Sequence, residues 1–182
     1  MRKIVAGLFL SLDGVMEAPE TWHFPYFNDE MGEIVESQMA AADTMLLGRR
    51  TYEEFAGFWP DQGSDVPFAD QMNKTPKFVV STTLESVAWE NSTLINGDIA
   101  RQIKQLKEQP GKDISITGSA TLVRSLLRDK LLDQLNLLVH PIIVGTGKGL
   151  FEAETGQVPL KLVDSTTLST GVLSVTYEPA GT

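Results

Sequence analysis

Continuous apolar runs mark four places where a buried strand is predicted. The first run covers residues 4–10 and ends in the polar turn sequence Ser-Leu-Asp-Gly. A strand that contacts apolar neighbours on both faces has such a run, so we place this strand at the centre of a sheet. Three shorter runs predict further buried strands at residues 44–47, 78–80 and 114–117.

Helices are predicted between these strands, where apolar residues recur every three or four positions. Asp29 is the predicted N-cap of a helix that runs to about residue 42, and Asp98 is the predicted start of a later one. Residues 58–77 contain several prolines and are predicted to be mostly loop, with one helical turn near residues 68–72. The predicted inward-facing residues are Met31, Ile34, Val35 and Met39 in the first helix, Tyr52 and Phe55 in a short helix over residues 50–55, Ile99, Ile103 and Leu106 in the third, and Leu122, Val123, Leu126 and Leu127 in the last.

The last third of the chain has a different pattern. Residues 135–144 form a long apolar run, and two further strand-like segments, 160–168 and 172–177, are joined by Ser169-Thr-Gly171, which is typical of a hairpin. Strands and helices therefore alternate first, and strands then follow one another. This order predicts an α/β fold with a mixed, mostly parallel sheet flanked by helices and a C-terminal antiparallel hairpin. Without repeats or linker-like segments, residues 1–182 are predicted to form a single domain.

The composition excludes several classes of function. The chain has no cysteine and only two histidines, His23 and His140, so we predict neither disulfides nor a metal site. A net charge of −9 argues against nucleic-acid binding. No apolar run approaches the ~18 residues of a membrane span, and the N-terminus has no small-residue cleavage site, so we expect a cytoplasmic protein without membrane contact.

Glycine, hydroxyl and arginine residues follow three of the predicted strands. Ligands of open α/β sheets bind outside the carboxyl ends of the strands, and helix N-termini there offer free N–H groups to phosphate. A ligand with several phosphates is one interpretation, although a turn, a helix cap or a solvated arginine pair would also explain each segment alone. Neither a Walker nor a Gly-x-Gly-x-x-Gly pattern is present. The three segments are Gly48, Arg49, Arg50 and Thr51; Ser81, Thr82 and Thr83; and Gly118, Ser119, Ala120 and Thr121.

Four blocks in this order, within a region from Gly7 to Tyr177, carry a family resemblance. They are LLGRRTYE, NKTPKFVVSTTL, ITGSATL and LDQLNLLVHPIIVGTGKGLF, which begin at residues 46, 73, 116 and 132. Together they resemble the dihydrofolate-reductase-like superfamily, in particular the reductase domain of the bifunctional riboflavin-biosynthesis deaminase–reductase. The resemblance implies that NADPH binds across the sheet, with the nicotinamide near the first strand.

The resemblance also implies roles for individual residues. Residues 48–51 would hold the pyrophosphate and the adenosine 2′-phosphate, and residues 81–83 would bind that 2′-phosphate and the ribose. Gly118 to Leu122 would hold the pyrophosphate, with the glycine letting the backbone approach it. Residues 141–151 are assigned to dimer packing and loop geometry, so a homodimer is expected.

The candidate catalytic and substrate-binding residues follow the first strand. Asp13 would lie near the nicotinamide, where it could orient the substrate or relay a proton, although Asp-Gly is also common in turns. The following loop carries Glu17, Trp22 and Phe24 as candidate substrate contacts. The two aromatic residues could form a wall of the site or fold onto the core, and His140 is predicted to be structural.

The resemblance predicts an NADPH-dependent oxidoreductase of riboflavin-biosynthesis type, which transfers hydride to a C=N or C=O of a small heterocyclic substrate. It would resemble 5-amino-6-(5-phosphoribosylamino)uracil reductase. The alternatives are a true dihydrofolate reductase and a nucleotide-binding module without turnover. Folate reductases carry an acid after their Trp-x-x-Pro segment, whereas Trp22-His-Phe-Pro25 is followed here by Tyr26 and Phe27. We therefore expect poor turnover of dihydrofolate.

Overall fold

The structure is a computed structural model that describes residues 1–152 and 156–181. The strands are β1 (Ile4–Ser11), β2 (Ala42–Gly48), β3 (Lys77–Val80), β4 (Ser92–Ile95), β5 (Asp113–Ile116), β6 (Gln134–His140), β7 (Leu160–Thr167) and β8 (Leu173–Pro179). The α-helices are α1 (Asp29–Ala41), α2 (Arg49–Ala56), α3 (Ala69–Lys74), α4 (Ile99–Glu108) and α5 (Ala120–Arg128). Short 3-10 helices lie at Pro19–Thr21, Phe24–Tyr26 and Trp59–Asp61.

The strands form one sheet in the order β4-β3-β2-β5-β1-β6-β8-β7. Neighbours from β4 to β6 pair in parallel, whereas β8 pairs antiparallel with both β6 and β7. The predicted α/β fold is confirmed, including the central position of the first strand and the hairpin at one edge. Because the parallel strands all point the same way, their carboxyl ends meet along one edge of the sheet.

Alternate residues of β1 face two different layers. Ile4, Ala6, Leu8 and Leu10 are buried in the larger core with residues of α4 and α5. Phe9 lies on the opposite face, where α1 packs with the buried Met31. Each fully buried aliphatic side chain of this kind stabilises the fold by about 1.5–3 kcal/mol. Helices therefore cover both faces of the central strand, which is why its sequence is apolar throughout.

Polar side chains cap three of the helices. Asp98 accepts a hydrogen bond from the Arg101 N–H at 3.2 Å, in agreement with the predicted helix start. The prediction for α1 was wrong by one residue, since Asn28 and not Asp29 is the cap and accepts from the Met31 N–H at 3.0 Å. Asp29 instead lies in the first turn, where its charge interacts favourably with the helix dipole.

Two strand predictions also needed correction. Strand β6 ends at His140 and not at residue 144, because Pro141 lacks an N–H and the Ile142 N–H closes a turn on the His140 carbonyl at 2.8 Å. Strand β4 was not predicted, although it pairs with β3 over four residues. Its short Ser-Thr-Leu-Ile sequence has no clear alternation, so only pairing with β3 defines it. No helix in the described part of the chain has the length and apolar character needed to cross a membrane.

Candidate active site

A cavity of about 1690 Å³ runs along the carboxyl edge of the parallel strands and extends beneath α1. Its lining includes the three segments that were predicted to bind phosphate. We call the part of the cavity that they line the glycine end. These segments follow β2, β3 and β5, so the sheet topology brings them together. The glycine end consists of Gly48, Arg49, Arg50, Thr51, Ser81, Thr82, Thr83, Gly118, Ser119, Ala120, Thr121 and Leu122.

Two glycines let the starts of α2 and α5 approach each other closely. A Cβ on Gly118 would lie 2.9 Å from both Cγ2 and Oγ1 of the buried Thr51. A Cβ on Gly48 would in turn collide with Cβ and Oγ of Ser119. The glycine at the β5–α5 junction therefore has a packing reason of its own, and it does not turn the chain through a positive φ. This close approach brings two helix N-termini to one wall of the cavity.

Ser119 carries the unusual backbone conformation at this junction. Its φ is 81° and its ψ 94°, a region that costs a non-glycine residue about 1–3 kcal/mol. Its Oγ accepts a hydrogen bond from the Leu122 N–H at 3.2 Å and so caps α5. The strain falls on a residue that lines the cavity, as is common at functional sites.

Arg49 and Arg50 place positive charge at the start of α2. Arg49 pairs with Glu53 one turn later at 3.3 Å, and both side chains are well exposed. An exposed pair of this type contributes only about 0.3–0.5 kcal/mol, so it does little to hold the guanidinium away from a ligand. Arg50 is also exposed and lines the cavity.

The hydroxyl segment after β3 has a divided role. Ser81 is buried, and its Oγ accepts hydrogen bonds from the Thr83 N–H at 3.1 Å and the Leu84 N–H at 3.0 Å. These contacts are turn chemistry, the alternative interpretation of this segment. Thr82 and Thr83 are exposed at the cavity. The Thr83 hydroxyl lies 3.4 Å from Ser81 Oγ. This long contact leaves both threonine hydroxyls able to bind a ligand.

Asp13 lies outside the cavity lining, at the turn after β1. Its carboxylate accepts hydrogen bonds from the Ser11 hydroxyl at 2.6 Å and from the N–H groups of Val144 and Gly145 at 3.1 and 2.9 Å. These bonds lower the pKa of Asp13 to about 2. A carboxylate that is ionised and occupied in this way is poorly suited to relay a proton, so the geometry favours the turn over a catalytic role.

The carboxylates of Asp13 and Glu17 hold the loop over residues 141–151 in place. Asp13 accepts hydrogen bonds from the Val144 and Gly145 N–H groups of this loop. Glu17 accepts from the Lys148 N–H at 3.0 Å. Gly147 has a φ of 108°, which only glycine adopts easily, and a Cβ there would lie 3.0 Å from Val15. These contacts agree with a role in loop geometry. Dimer packing by this segment stays a prediction.

The three candidate substrate contacts have different surroundings. Glu17 and Phe24 line the cavity. Trp22 does not; it is buried, its indole N–H donates to the Glu17 carbonyl at 3.2 Å, and its ring meets His140 edge-on at 5.2 Å. The geometry therefore favours the alternative for Trp22, a loop that folds onto the core. His140, which was predicted to be structural, is fully buried, with Nδ1 2.8 Å from the Leu138 carbonyl.

An aromatic group that was not predicted as a unit lines the cavity beside β1. We call Phe9, His23, Phe24 and Phe27 the aromatic end. The imidazole of His23 lies between two phenyl rings, with centroid distances of 4.6 Å to Phe9 and 4.2 Å to Phe24. Phe27 meets His23 edge-on at 6.1 Å. Burial, and secondarily the charge of nearby His140, lowers the pKa of His23.

Metal-binding side chains do not cluster at this site. Over residues 1–152 and 156–181, no group of three or more histidine, cysteine, aspartate or glutamate residues could hold a metal ion. The chemistry of the cavity is instead that of helix N-termini, arginines and hydroxyls at one end and of aromatic rings at the other.

The parallel sheet, the edge hairpin and the cavity at the strand ends define a dihydrofolate-reductase-like α/β protein. The model of the RibD C-terminal domain family matches residues 2–174, and the chain belongs to that family. The resemblance stated from the four sequence blocks is thus confirmed.

Relatives of known sequence and structure agree with this assignment. The uncharacterized protein YyaP of Bacillus subtilis (strain 168) is 29% identical over 182 residues, which cover 97% of this chain and 94% of YyaP. A Shewanella sp. PV-4 protein whose name assigns it to riboflavin biosynthesis superposes with a TM-score of 0.78 at 22% identity, over 100% of both chains.

Two further structures have named activities. The Thermotoga maritima diaminohydroxyphosphoribosylaminopyrimidine deaminase/5-amino-6-(5-phosphoribosylamino)uracil reductase gives a TM-score of 0.69 at 14% identity, over 98% of this chain and 57% of that chain. Enterococcus faecalis dihydrofolate reductase, in complex with NADP(H), gives a TM-score of 0.63 at 15% identity, over 97% of this chain and 94% of that chain. At these identities the likeness shows the shared fold.

Proposed function

We propose that this protein is an NADPH-dependent reductase that transfers hydride to a C=N or C=O bond of a small heterocyclic substrate. The observation that carries the proposal is the glycine end, where the starts of α2 and α5 meet beside two arginines at a single cavity wall. The family supports a reductase of riboflavin-pathway type, since the T. maritima relative is a named uracil reductase.

The residues at the glycine end fit a dinucleotide phosphate. The first N–H groups of a helix have no partner within the helix, and the helix dipole adds positive potential there. Gly48 and Gly118 allow the two helix starts to approach each other at the cavity wall. Arg49 and Arg50 supply charge, in a chain whose net charge is −9, and no carboxylate occurs in the three segments.

The absence of a carboxylate from the three segments themselves favours NADPH over NADH. Sites for NADH commonly place an acid against the free ribose 2′-hydroxyl, whereas a basic residue accommodates the 2′-phosphate. Here Arg49, Arg50 and the hydroxyls of Thr82 and Thr83 line the cavity after β2 and β3. We assign the 2′-phosphate to this set and the pyrophosphate to residues 118–122.

When bound, NADPH would supply the hydride, and the protein would orient the reactants and exclude water. The aromatic end is suited to this second task, because its phenyl rings form an apolar wall beside β1. Glu17 and Lys148 also line the cavity, and we propose them as charged contacts for a polar substrate. Asp13, which is bound in its turn, has no part in this mechanism.

The cofactor assignment is tested by titrating NADPH and NADH into the protein and following fluorescence. We expect NADPH to bind at least about tenfold more tightly, because a hydrogen bond to a charged group contributes about 1.5–3 kcal/mol. Arg50→Ala should weaken NADPH binding by about that factor and leave NADH binding unchanged. Arg101→Ala is the matched control, since Arg101 is exposed near the start of α4 and lies outside the cavity lining.

Equal affinities for the two cofactors in the parent protein would contradict the assignment. Turnover is tested separately, by following NADPH oxidation with a panel of pterins and pyrimidines. Hydride transfer to any of them supports a reductase. Tight NADPH binding without oxidation by any member of the panel would favour a nucleotide-binding module.

A further inference from the structure

His23 is a polar side chain enclosed in an apolar stack. Only 7% of the residue is exposed, and the rings of Phe9 and Phe24 cover the two faces of its imidazole. The interplanar angle to Phe9 is 14°, so these two rings are nearly parallel. A molecule in the cavity therefore cannot stack on His23 and can reach only the edge of its ring.

The two ring nitrogens of His23 differ in access. Nδ1 is buried and has no hydrogen-bond partner among the described residues. Nε2, at the other edge of the ring, is not enclosed in this way, and the residue lines the cavity. A buried polar atom without a partner costs about 1–3 kcal/mol, so the ring orientation is retained at a cost to stability. Such an orphaned atom in a native structure calls for an explanation, and the position of the opposite ring nitrogen offers one.

We assign the proton of the neutral ring to Nε2. Burial and the nearby His140 favour the neutral form of His23 at pH 7. A neutral imidazole carries one N–H, and at Nδ1 that donor would be buried without an acceptor. At Nε2 the same N–H can donate to water or to a ligand. The edge of His23 therefore presents one fixed hydrogen-bond donor to the cavity.

Two exposed phenyl rings lie beside this donor. Phe24 is 63% exposed and Phe27 46%, although large aromatic side chains are usually more buried. Both line the cavity and both contact His23. A flat ring that packs on them would gain area burial and about 0.5–1.5 kcal/mol from aromatic geometry.

We propose that the outer surfaces of Phe24 and Phe27, together with the Nε2–H edge of His23, bind a flat aromatic heterocycle through an uncharged acceptor atom in its ring. Under the proposed function this heterocycle is the substrate, so the inference rests on that function for its biological meaning. Glu17, Glu20 and Lys148 line the cavity as well, and the excess of carboxylates over ammonium groups among these three disfavours a negatively charged ring. A protonated ring nitrogen is excluded as well, because it has no lone pair to accept from His23.

The site is tested with two bicyclic probes of the same shape. Quinoxaline has two neutral ring nitrogens, and naphthalene has none. Binding is compared by ligand-detected saturation-transfer NMR. We expect the parent protein to bind quinoxaline about three- to tenfold more tightly, the net contribution of one neutral hydrogen bond. His23→Phe keeps an aromatic ring in the stack and should abolish the preference while naphthalene still binds. His23→Gln retains an amide N–H near the Nε2 position and should restore part of the preference.

Tyr26→Phe is the matched control. Tyr26 lies in the same loop and packs on His140, but it is outside the cavity lining. This variant should behave as the parent protein. A quinoxaline preference that persists in His23→Phe would overturn the role of His23, and failure of the parent protein to bind either probe would overturn the site. Neither measurement needs cofactor or turnover, so a failure of NADPH binding is recognised separately by the fluorescence titration.

Discussion

The glycine end and the aromatic end occupy the same cavity but were not equally predictable. All twelve residues proposed for cofactor binding line the cavity, and they come from three segments that directly follow strands. Of the four residues proposed for catalysis and substrate binding, Glu17 and Phe24 line it, whereas Asp13 and Trp22 do not. The difference follows from how each end is built.

Strand ends are positioned by the topology of the sheet. Once the strands are parallel neighbours, the residues that follow them share one edge, whatever their side chains do. The aromatic end instead belongs to the loop between β1 and α1, where side-chain packing decides which ring faces inward. Trp22 and Phe24 are two residues apart, yet one is 6% exposed and the other 63%. Both are large aromatic residues, so the residue type does not predict which of the two is buried.

The largest effect that we predict distinguishes the aromatic end from that of a folate enzyme. We expect NADPH oxidation with dihydrofolate to be about 100–10,000-fold slower than in an ordinary reductase, because no acid stands after the Trp-x-x-Pro segment, where folate reductases carry theirs. Phe27 stands two residues after the proline of the Trp-x-x-Pro segment, and it lines the cavity. Asp29 lies outside the lining, in the first turn of α1. Steady-state kinetics with dihydrofolate provide the measurement.

A gain-of-function variant sharpens this test. Phe27→Asp places a carboxylate in the cavity and should raise dihydrofolate turnover above that of the parent protein, whereas Asp29→Asn should change nothing. A parent rate of about 10 per second, the usual value for an enzyme, would contradict the prediction. Its loss in Asp29→Asn would then show that this acid reaches the substrate.

Several features that could not be predicted depend on contacts between separate segments of the chain. Lys77 is fully buried at the start of β3, where its Nζ donates to the carbonyls of Asn73, Thr75 and Glu90 and lies 4.1 Å from the centroid of Trp89. A lysine before an apolar run gives no sign of such burial, because lysine is usually exposed. The Phe9–His23 stack likewise joins a strand to a loop. By contrast, the apolar stripe of α5 and the apolar run of β1 are local patterns, and the structure confirms both.

The second prediction separates packing from ligand binding at the glycine end. Gly118→Val should destabilise the fold by about 1–3 kcal/mol, because its side chain overlaps Thr51. It should also abolish NADPH binding. Thr51→Ala, combined with Gly118→Val, removes the overlapping atoms and should restore much of the melting temperature without restoring NADPH affinity.

The single variant Thr51→Ala provides the control for this double-mutant cycle. If the double variant regains both stability and NADPH affinity, Gly118 serves only to admit Thr51 and does not contact the phosphates. If Gly118→Val alone keeps the parent's melting temperature, the close approach described above is itself mistaken.

The third prediction concerns pH and returns to the aromatic end. Burial lowers the pKa values of His23 and His140 from their usual 6.5. The native state then binds fewer protons than the unfolded state, so stability is fully present above pH 6.5 and falls as the pH drops below it. Each histidine adds a slope of at most about 1.4 kcal/mol per pH unit. Melting temperatures between pH 8 and pH 5 measure this slope, and Glu20, which favours protonated His23, reduces it.

His23→Phe removes one of the two histidines and should flatten the profile in this window. The carboxylates with lowered pKa values, Asp13, Glu30 and Asp43, start from about 4 and act only at lower pH. They therefore do not obscure the comparison. A profile that is equally steep in His23→Phe would show that His23 does not titrate as a buried group.

The smallest effect is predicted for Asp13→Asn. This variant tests whether the turn after β1 belongs to the active site. A positioned acid–base group contributes about 100–10,000-fold, so a catalytic Asp13 would reveal itself in kcat. We expect kcat with the best substrate to be unchanged, because the carboxylate lies outside the cavity lining and its oxygens accept from Ser11, Val144 and Gly145. Stability should decrease slightly at pH 7. The pKa of Asp13 is lowered from 3.8 to about 2, so its stabilising effect is present above pH 4 and is lost as the pH falls towards 2. The melting temperatures of parent and variant should therefore converge in acid, and a large loss of kcat at neutral pH would return Asp13 to the catalytic role that its sequence position suggested.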